Sequence, residues 1–93
     1  MKLFDGASCL AGITHTKEHK ALVAVLIACR KEAGLTQEAL GKRLRWDRQT
    51  VSQVETGVRS VEVAELPKIC KALQIDEMSF YERWLVFRKS AVR

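Results

Sequence analysis

The chain is poor in the residues that punctuate and brace β-structure. It has one proline, two tryptophans, one tyrosine and three phenylalanines among 93 residues, too few turn-formers and aromatics for a sandwich of short strands. Long apolar runs are missing as well. The longest, Ala21 to Cys29, is about half of what a membrane-spanning helix needs. It also follows Asp5 and Glu18, too far along to be a signal peptide's hydrophobic region. Cysteine is scarce: Cys9, Cys29 and Cys70 are an odd number without C-x-x-C spacing. That pattern excludes a disulfide framework and suits reduced thiols in a cytoplasmic protein. Cys29 and Cys70 fall within apolar patterns as small core residues, whereas Cys9 is expected at the surface. No glycine-rich phosphate loop is present, and Ser, His, Asp and Cys nowhere form a nucleophile set, so an enzyme is not expected. His15 and His19 stand at i, i+4 with Cys9 upstream, but a fourth ligand at metal-binding spacing is lacking. They read as solvated histidines on an arm, with no metal and no cofactor.

What is present describes one soluble domain, 47% hydrophobic and 29% charged, with enough apolar residues for a modest core. The net charge of +5 fits a polyanionic partner without establishing one. Its distribution says more. Between Leu35 and Ser60, Lys42, Arg43, Arg45, Arg48 and Arg59 face only Glu38, Asp47 and Glu55. From Val61 to Trp84 the sign reverses, with Glu62, Glu65, Asp76, Glu77 and Glu82 against Lys68, Lys71 and Arg83. The basic side chains therefore concentrate in the middle of the chain.

Apolar spacing predicts helices throughout. Residues 1–17 show no sustained period and read as an N-terminal arm. A first helix spans about Lys17 to Ala33, with Leu22, Val25, Leu26, Cys29 and Ala33 as its stripe and Gly34 ending it. Thr36 caps a second helix whose inner residues are Ala39, Leu40 and Leu44, and Asp47 caps a third from Arg48 to Glu55. A fourth covers about Glu62 to Leu73, with Pro67 either distorting its first turn or fixing a regular start near Leu66. Asp76 caps a fifth from about Glu77 to Arg88.

The second and third helices are short, narrow on their inner faces and joined by about three residues, as a helix-turn-helix requires. In the third, only Val51 and Val54 are apolar, and Gln49, Ser52, Gln53 and Thr56 lie opposite them. Surface helices usually carry Glu and Lys there. Gln, Ser and Thr instead donate and accept hydrogen bonds without repelling phosphate, and Gln pairs with the N6 and N7 of adenine in the major groove. Arg48 at the helix start suits a guanine edge or a phosphate.

These residues carry a resemblance. Arg30-Lys31-Glu32-Ala33-Gly34-Leu35-Thr36-Gln37-Glu38-Ala39-Leu40 is similar to the opening R-x-x-x-G-L-T-Q-x-x-L of the Xre/Cro-repressor (lambda repressor-like) helix-turn-helix family. Val51, Val54, Glu55 and Gly57 resemble its I-x-x-(I/L)-E-x-G, and Val63, Leu66, Ile69, Cys70, Ala72 and Leu73 its fourth helix. The resemblance covers Leu22 to Ile75. It implies an all-α, five-helix fold and a bacterial or phage regulator of transcription that binds double-stranded DNA. Carried over by position, it implies base reading by Arg48, Gln49 and Gln53, assisted by Thr50 and Ser52. It implies phosphate binding by Gln37, with Thr36 beside it at the helix start, and by Thr56 and Arg59, and an ion pair of Arg30 with Glu55 that orients the third helix; Arg45, outside the family pattern, adds a further cation for phosphate. Two positions depart from the pattern. Arg45 stands where the family usually has glycine, at a turn position that favours positive φ, and Trp46 replaces a smaller aliphatic and reads first as a cover over the core.

The division expected is an arm at 1–17, a helix-turn-helix domain at 18–75 and a C-terminal hydrophobic helix at 76–93. In that last helix Met78, Phe80, Tyr81, Trp84, Leu85, Val86 and Phe87 exceed one face. Met78, Tyr81, Trp84 and Leu85 are the set assigned to the domain's own core. The sharper reading makes the helix a homodimer seam with Phe80, Trp84 and Phe87, joined by Val23 and Ile27 or the arm, and hence a repressor on a pseudo-palindromic operator. The alternative is an antitoxin-like protein that holds a partner protein and autoregulates its own operon.

Overall fold

The computed structural model describes residues 16–92, so the expectations for the arm, Cys9 and His15 lie outside the described residues. Among these, the chain forms five α-helices and no strand: α1 (Lys17–Glu32), α2 (Gln37–Leu44), α3 (Arg48–Glu55), α4 (Leu66–Leu73) and α5 (Glu77–Val92). A short 3-10 turn, Val63–Glu65, precedes α4. The all-α, five-helix architecture expected from the sequence is the one observed.

Each start has a local cause. The Thr16 hydroxyl accepts from the His19 N–H at 3.1 Å, and Thr36 from the Ala39 N–H at 3.0 Å. Asp47 accepts from the Thr50 N–H at 2.8 Å, and Asp76 from the N–H groups of Met78 and Ser79. These bonds satisfy donors that a helix N-terminus leaves open. Pro67 sits in the first turn of α4, where its missing N–H costs nothing, so the regular helix begins at Leu66. The helix ends are equally specific. Gly34 and Gly57, but also Arg45 and Gln74, take positive φ. At each, the next residue's N–H reaches back to close the last turn: Leu35 to the Arg30 carbonyl, Trp46 to Gly41, Val58 to Gln53 and Ile75 to Cys70.

The core joins the inner stripes of all five helices, with Val25, Leu26, Leu40, Val51, Val54, Ile69 and Phe80 buried together. α1 packs against α3 and α5, and α2 against α3 and α4. The corner of the helix-turn-helix is tight. A Cβ added at Gly41 would lie 2.7 Å from the Trp46 carbonyl oxygen, so only glycine lets the turn fold back this closely onto α2.

Three expectations are corrected. Phe80 is not a surface residue: it is 2% exposed and completes the domain's own core. Trp84 and Phe87, the other expected seam residues, are half-buried and pack against that core, and the Trp84 indole N–H donates to the Glu18 carbonyl at 2.9 Å. Met78 and Tyr81, expected to face inward, are exposed instead. The inner stripe of α5 is thus Phe80, Trp84 and Phe87, at i, i+4 and i+7, because that phase turns the largest rings onto α1 and α4. His19 is the third correction. It is a buried part of α1 rather than a solvated group on an arm.

Candidate nucleic-acid interface

α3 divides cleanly. Val51 and Val54 are each 1% exposed, while Arg48 and Gln49 are exposed and Thr50, Ser52 and Gln53 half-buried. The side chains of Arg48, Gln49, Ser52 and Gln53 make no hydrogen bond to the described residues. Thr50 differs, since its hydroxyl donates to Asp47 Oδ1 at 2.6 Å. Thr56 likewise donates to the Ser52 carbonyl at 2.9 Å. Both hydroxyls keep acceptor capacity, but their protons serve the ends of the helix.

What fixes α3 is a network around Glu55. Arg30 Nε donates to Glu55 Oε2 at 2.7 Å and Arg30 Nη2 to Oε1 at 3.1 Å, the bidentate geometry that Arg and carboxylate favour. Arg30 Nη1 adds a bond to the Leu35 carbonyl at 2.8 Å. Gln37 Nε2 then reaches Glu55 Oε1 at 2.9 Å, so one carboxylate holds α1, α2 and α3. The pair is largely buried, with 12% of the Arg30 side chain and 6% of the Glu55 side chain exposed. The expected Arg30–Glu55 partnership is present. Gln37, read as a phosphate ligand, has one amide N–H committed to Glu55, leaving a second N–H and its carbonyl oxygen.

At the start of α2, Arg30, Thr36, Gln37, Glu38 and Arg48 line one hollow, bringing four of the expected DNA-contacting or orienting residues together beside a helix N-terminus. Arg45 is exposed at the turn with φ 60°, the left-handed conformation its position demands. Arg59 is placed otherwise than a free phosphate ligand would be. Its Nη2 lies 2.6 Å from Glu65 Oε2, and its guanidinium sits 4.7 Å from the centre of the Trp46 ring. The hydrogen bond from Arg59 holds the Glu65 carboxyl below its ordinary range.

Sequence reasoning missed three contributors. Glu65 and Lys68 were counted only as charges, and their pairing across elements leaves no local signal. Gly41 did leave one, because glycine inside a helical pattern costs stability unless a close approach requires it. His19 adds a further tie: its Nε2 accepts the Val61 N–H at 3.1 Å, fastening the loop after α3 to α1. Burial pushes its pKa down, and that bond requires the neutral ring.

A helix-turn-helix family model matches residues 26–79. The chain belongs to the Xre/lambda repressor-like helix-turn-helix family. Solved structures agree with the Xre assignment. The wild-type restriction-modification controller protein C.Esp1396I is 26% identical, over 78% of this chain and 94% of that one, with a TM-score of 0.74. An XRE-family like protein from Pseudomonas syringae pv. tomato str. DC3000 is 26% identical over 88% of this chain and 96% of its own, with a TM-score of 0.71. The clp gene regulator ClgR from C. glutamicum is 25% identical over 73% and 88%, at a TM-score of 0.66. No curated protein sequence matches the chain. The Xre family and fold are those of DNA-binding regulators of transcription, which are not enzymes. Within this chain α2 and α3 are the helix-turn-helix. No helix among the described residues is long and apolar enough to cross a membrane.

Proposed function

We propose that the chain acts as a homodimeric regulator of transcription, in its simplest use a repressor, whose two α3 helices read a pseudo-palindromic operator. The observation that carries this reading is the contrast within α3. Glu55 is locked to α1 and α2, while Arg48, Gln49, Ser52 and Gln53 keep their hydrogen-bonding groups uncommitted among the described residues. A rigidly held helix with an unpaired polar face free of negative charge suits recognition of base edges. Gln49 and Gln53 are assigned to adenine, Arg48 to guanine or a phosphate, and Thr50 and Ser52 to auxiliary contacts. The N-terminus of α2 with Thr36 and Gln37, together with Arg45, Thr56 and Arg59, is assigned to the DNA backbone.

The seam between subunits is moved from Phe80 to what the 3-10 turn and α5 leave exposed. Val63, Met78, Tyr81 and Val86 are all exposed apolar residues, and Val63 and Tyr81 line one groove with Leu66, Pro67 and Trp84. Similarity to a restriction-modification controller and to a clp gene regulator supports the regulatory reading. Selecting bound sites from random duplexes tests it. The expected product is an inverted repeat whose half-sites are centred about 34–36 Å apart. Enrichment of a single unrepeated half-site would remove the symmetric dimer, and no enrichment would remove sequence-specific reading.

A further inference from the structure

One cluster at the corner of the helix-turn-helix is not accounted for by base reading. Trp46 lies in the turn between α2 and α3, half-buried and packed against the core. Two cations from different elements converge on its ring. The Arg59 guanidinium carbon, from the loop after α3, is 4.7 Å from the ring centroid. Lys68 Nζ, from α4, is 5.1 Å from it. Both are within the range at which the negative face of an indole attracts a cation. Glu65 closes the cluster, accepting from Arg59 Nη2 at 2.6 Å and from Nη1 at 3.2 Å. Glu65 is itself fixed by the Glu62 N–H at 3.0 Å. Arg59 Nη1 also donates to the Ser60 carbonyl at 3.2 Å. A guanidinium has five N–H donors; these bonds engage three, so Arg59 is oriented and still has donors to give.

An aliphatic side chain at this position would offer the core apolar contact but no ring face. It would not draw two like charges together. Glu65 acts on both Arg59 and Lys68, Glu62 acts on Arg59 as well, and Arg45 adds a third cation beside the ring in sequence. The three cations outnumber these carboxylates, a balance that favours a polyanion.

We propose that Trp46 is a positioning residue for the grip on the DNA backbone: its ring gathers Arg59 and Lys68 into a cationic platform at the helix-turn-helix corner that binds phosphates whatever the base sequence. The inference rests on the reading of α3 as the DNA-contacting helix. Trp46 touches no base in this scheme; it acts through the two cations it supports.

The test is the salt dependence of binding to a random duplex, followed by fluorescence anisotropy for the wild type, Trp46→Phe, Trp46→Leu, Arg59→Gln and Lys68→Gln. Each phosphate contact contributes roughly 0.9 to the slope of log affinity against log salt. Arg59→Gln and Lys68→Gln are each expected to flatten the slope by about that amount. Trp46→Leu, which alters no charge, is expected to flatten it by about one to two and to weaken all duplexes alike. Trp46→Phe, which keeps an aromatic face, retains most of the slope. Weaker binding by Trp46→Leu at an unchanged slope would show a merely structural role and overturn the proposal. So would a Trp46→Phe protein as impaired as Trp46→Leu. Should Trp46→Leu fail to fold, unchanged slopes in both Arg59→Gln and Lys68→Gln overturn it instead. A wild type that binds no duplex overturns the DNA-binding reading itself, whereas a wild type that binds, with slopes insensitive to these changes, removes only the platform.

Discussion

Arg45 condenses the compromise in this molecule into one residue. Its φ of 60° places a side chain where L-residues pay about 1–2 kcal/mol, at the corner between the two helices of the helix-turn-helix. Glycine there relieves the strain but gives back roughly 0.5–1 kcal/mol through the freer unfolded chain. Arg45→Gly should therefore raise stability by up to about 1.5 kcal/mol in a urea titration and weaken binding to all duplexes equally. A variant less stable than wild type would show that the conformation is not strained. His19 makes a second prediction, with a definite sign. Its buried ring is held neutral, with its pKa below the ordinary 6.5. On acidification the unfolded chain takes up the proton first, so this contribution to stability is full above about pH 6.5 and is lost as pH falls below it. Glu65, held low by Arg59, loses its contribution only at more acidic pH, below its ordinary 4.5. Thermal midpoints between pH 7.5 and 5.5 should fall more for wild type than for His19→Gln, which keeps an acceptor for Val61 but does not titrate. Parallel profiles would contradict the buried, neutral assignment.

At the scale of elements, the Glu55 carboxylate decides how α3 is presented. Removing it leaves Arg30 charged and largely buried without its anion, and Gln37 without its acceptor. Glu55→Ala is accordingly expected to cost about 3–5 kcal/mol, a large share of the stability of a small domain. A loss below about 1 kcal/mol in the same urea titration would place the pair among weak surface bridges. This part of the architecture was legible in the sequence. Val51 and Val54 define one face of α3 unambiguously, Gly34 and Gly57 mark helix ends, and Arg30 and Glu55 stand at family positions. α5 was not legible in the same way. Apolar residues at 78, 80, 81 and 84–87 satisfy several helical phases, and only the position of α1 selects Phe80, Trp84 and Phe87 as the inner stripe. His19 was missed for a related reason: its partner is a backbone N–H 42 residues away, which no local pattern announces.

For the whole molecule, what matters is the apolar surface that folding leaves uncovered. With Phe80 in the core, Phe80→Glu would report on folding and say nothing of association. Met78→Glu with Tyr81→Glu addresses the exposed face of α5 directly. Light scattering is expected to show a dimer for wild type and a folded monomer for the double variant. A monomeric wild type would exclude the homodimer, and a double variant that remains dimeric would move the seam elsewhere. The basic middle of the chain and the acidic stretch after it, visible in the sequence, also take on a spatial meaning, because Glu65 of the acidic stretch holds Arg59 of the basic one.

Gln49 and Gln53 on α3 are proposed to read bases, while the positive charge around them supplies affinity without sequence preference. Anisotropy titrations of Gln49→Ala with Gln53→Ala, on the selected operator and on a scrambled duplex of equal length, test it most directly. The predicted result is loss of preference for the operator, at roughly 1–3 kcal/mol for each good side-chain pair with a base, with binding to the scrambled duplex unchanged. An equal loss on both duplexes would contradict it, because the two glutamines would then be serving the backbone rather than the bases.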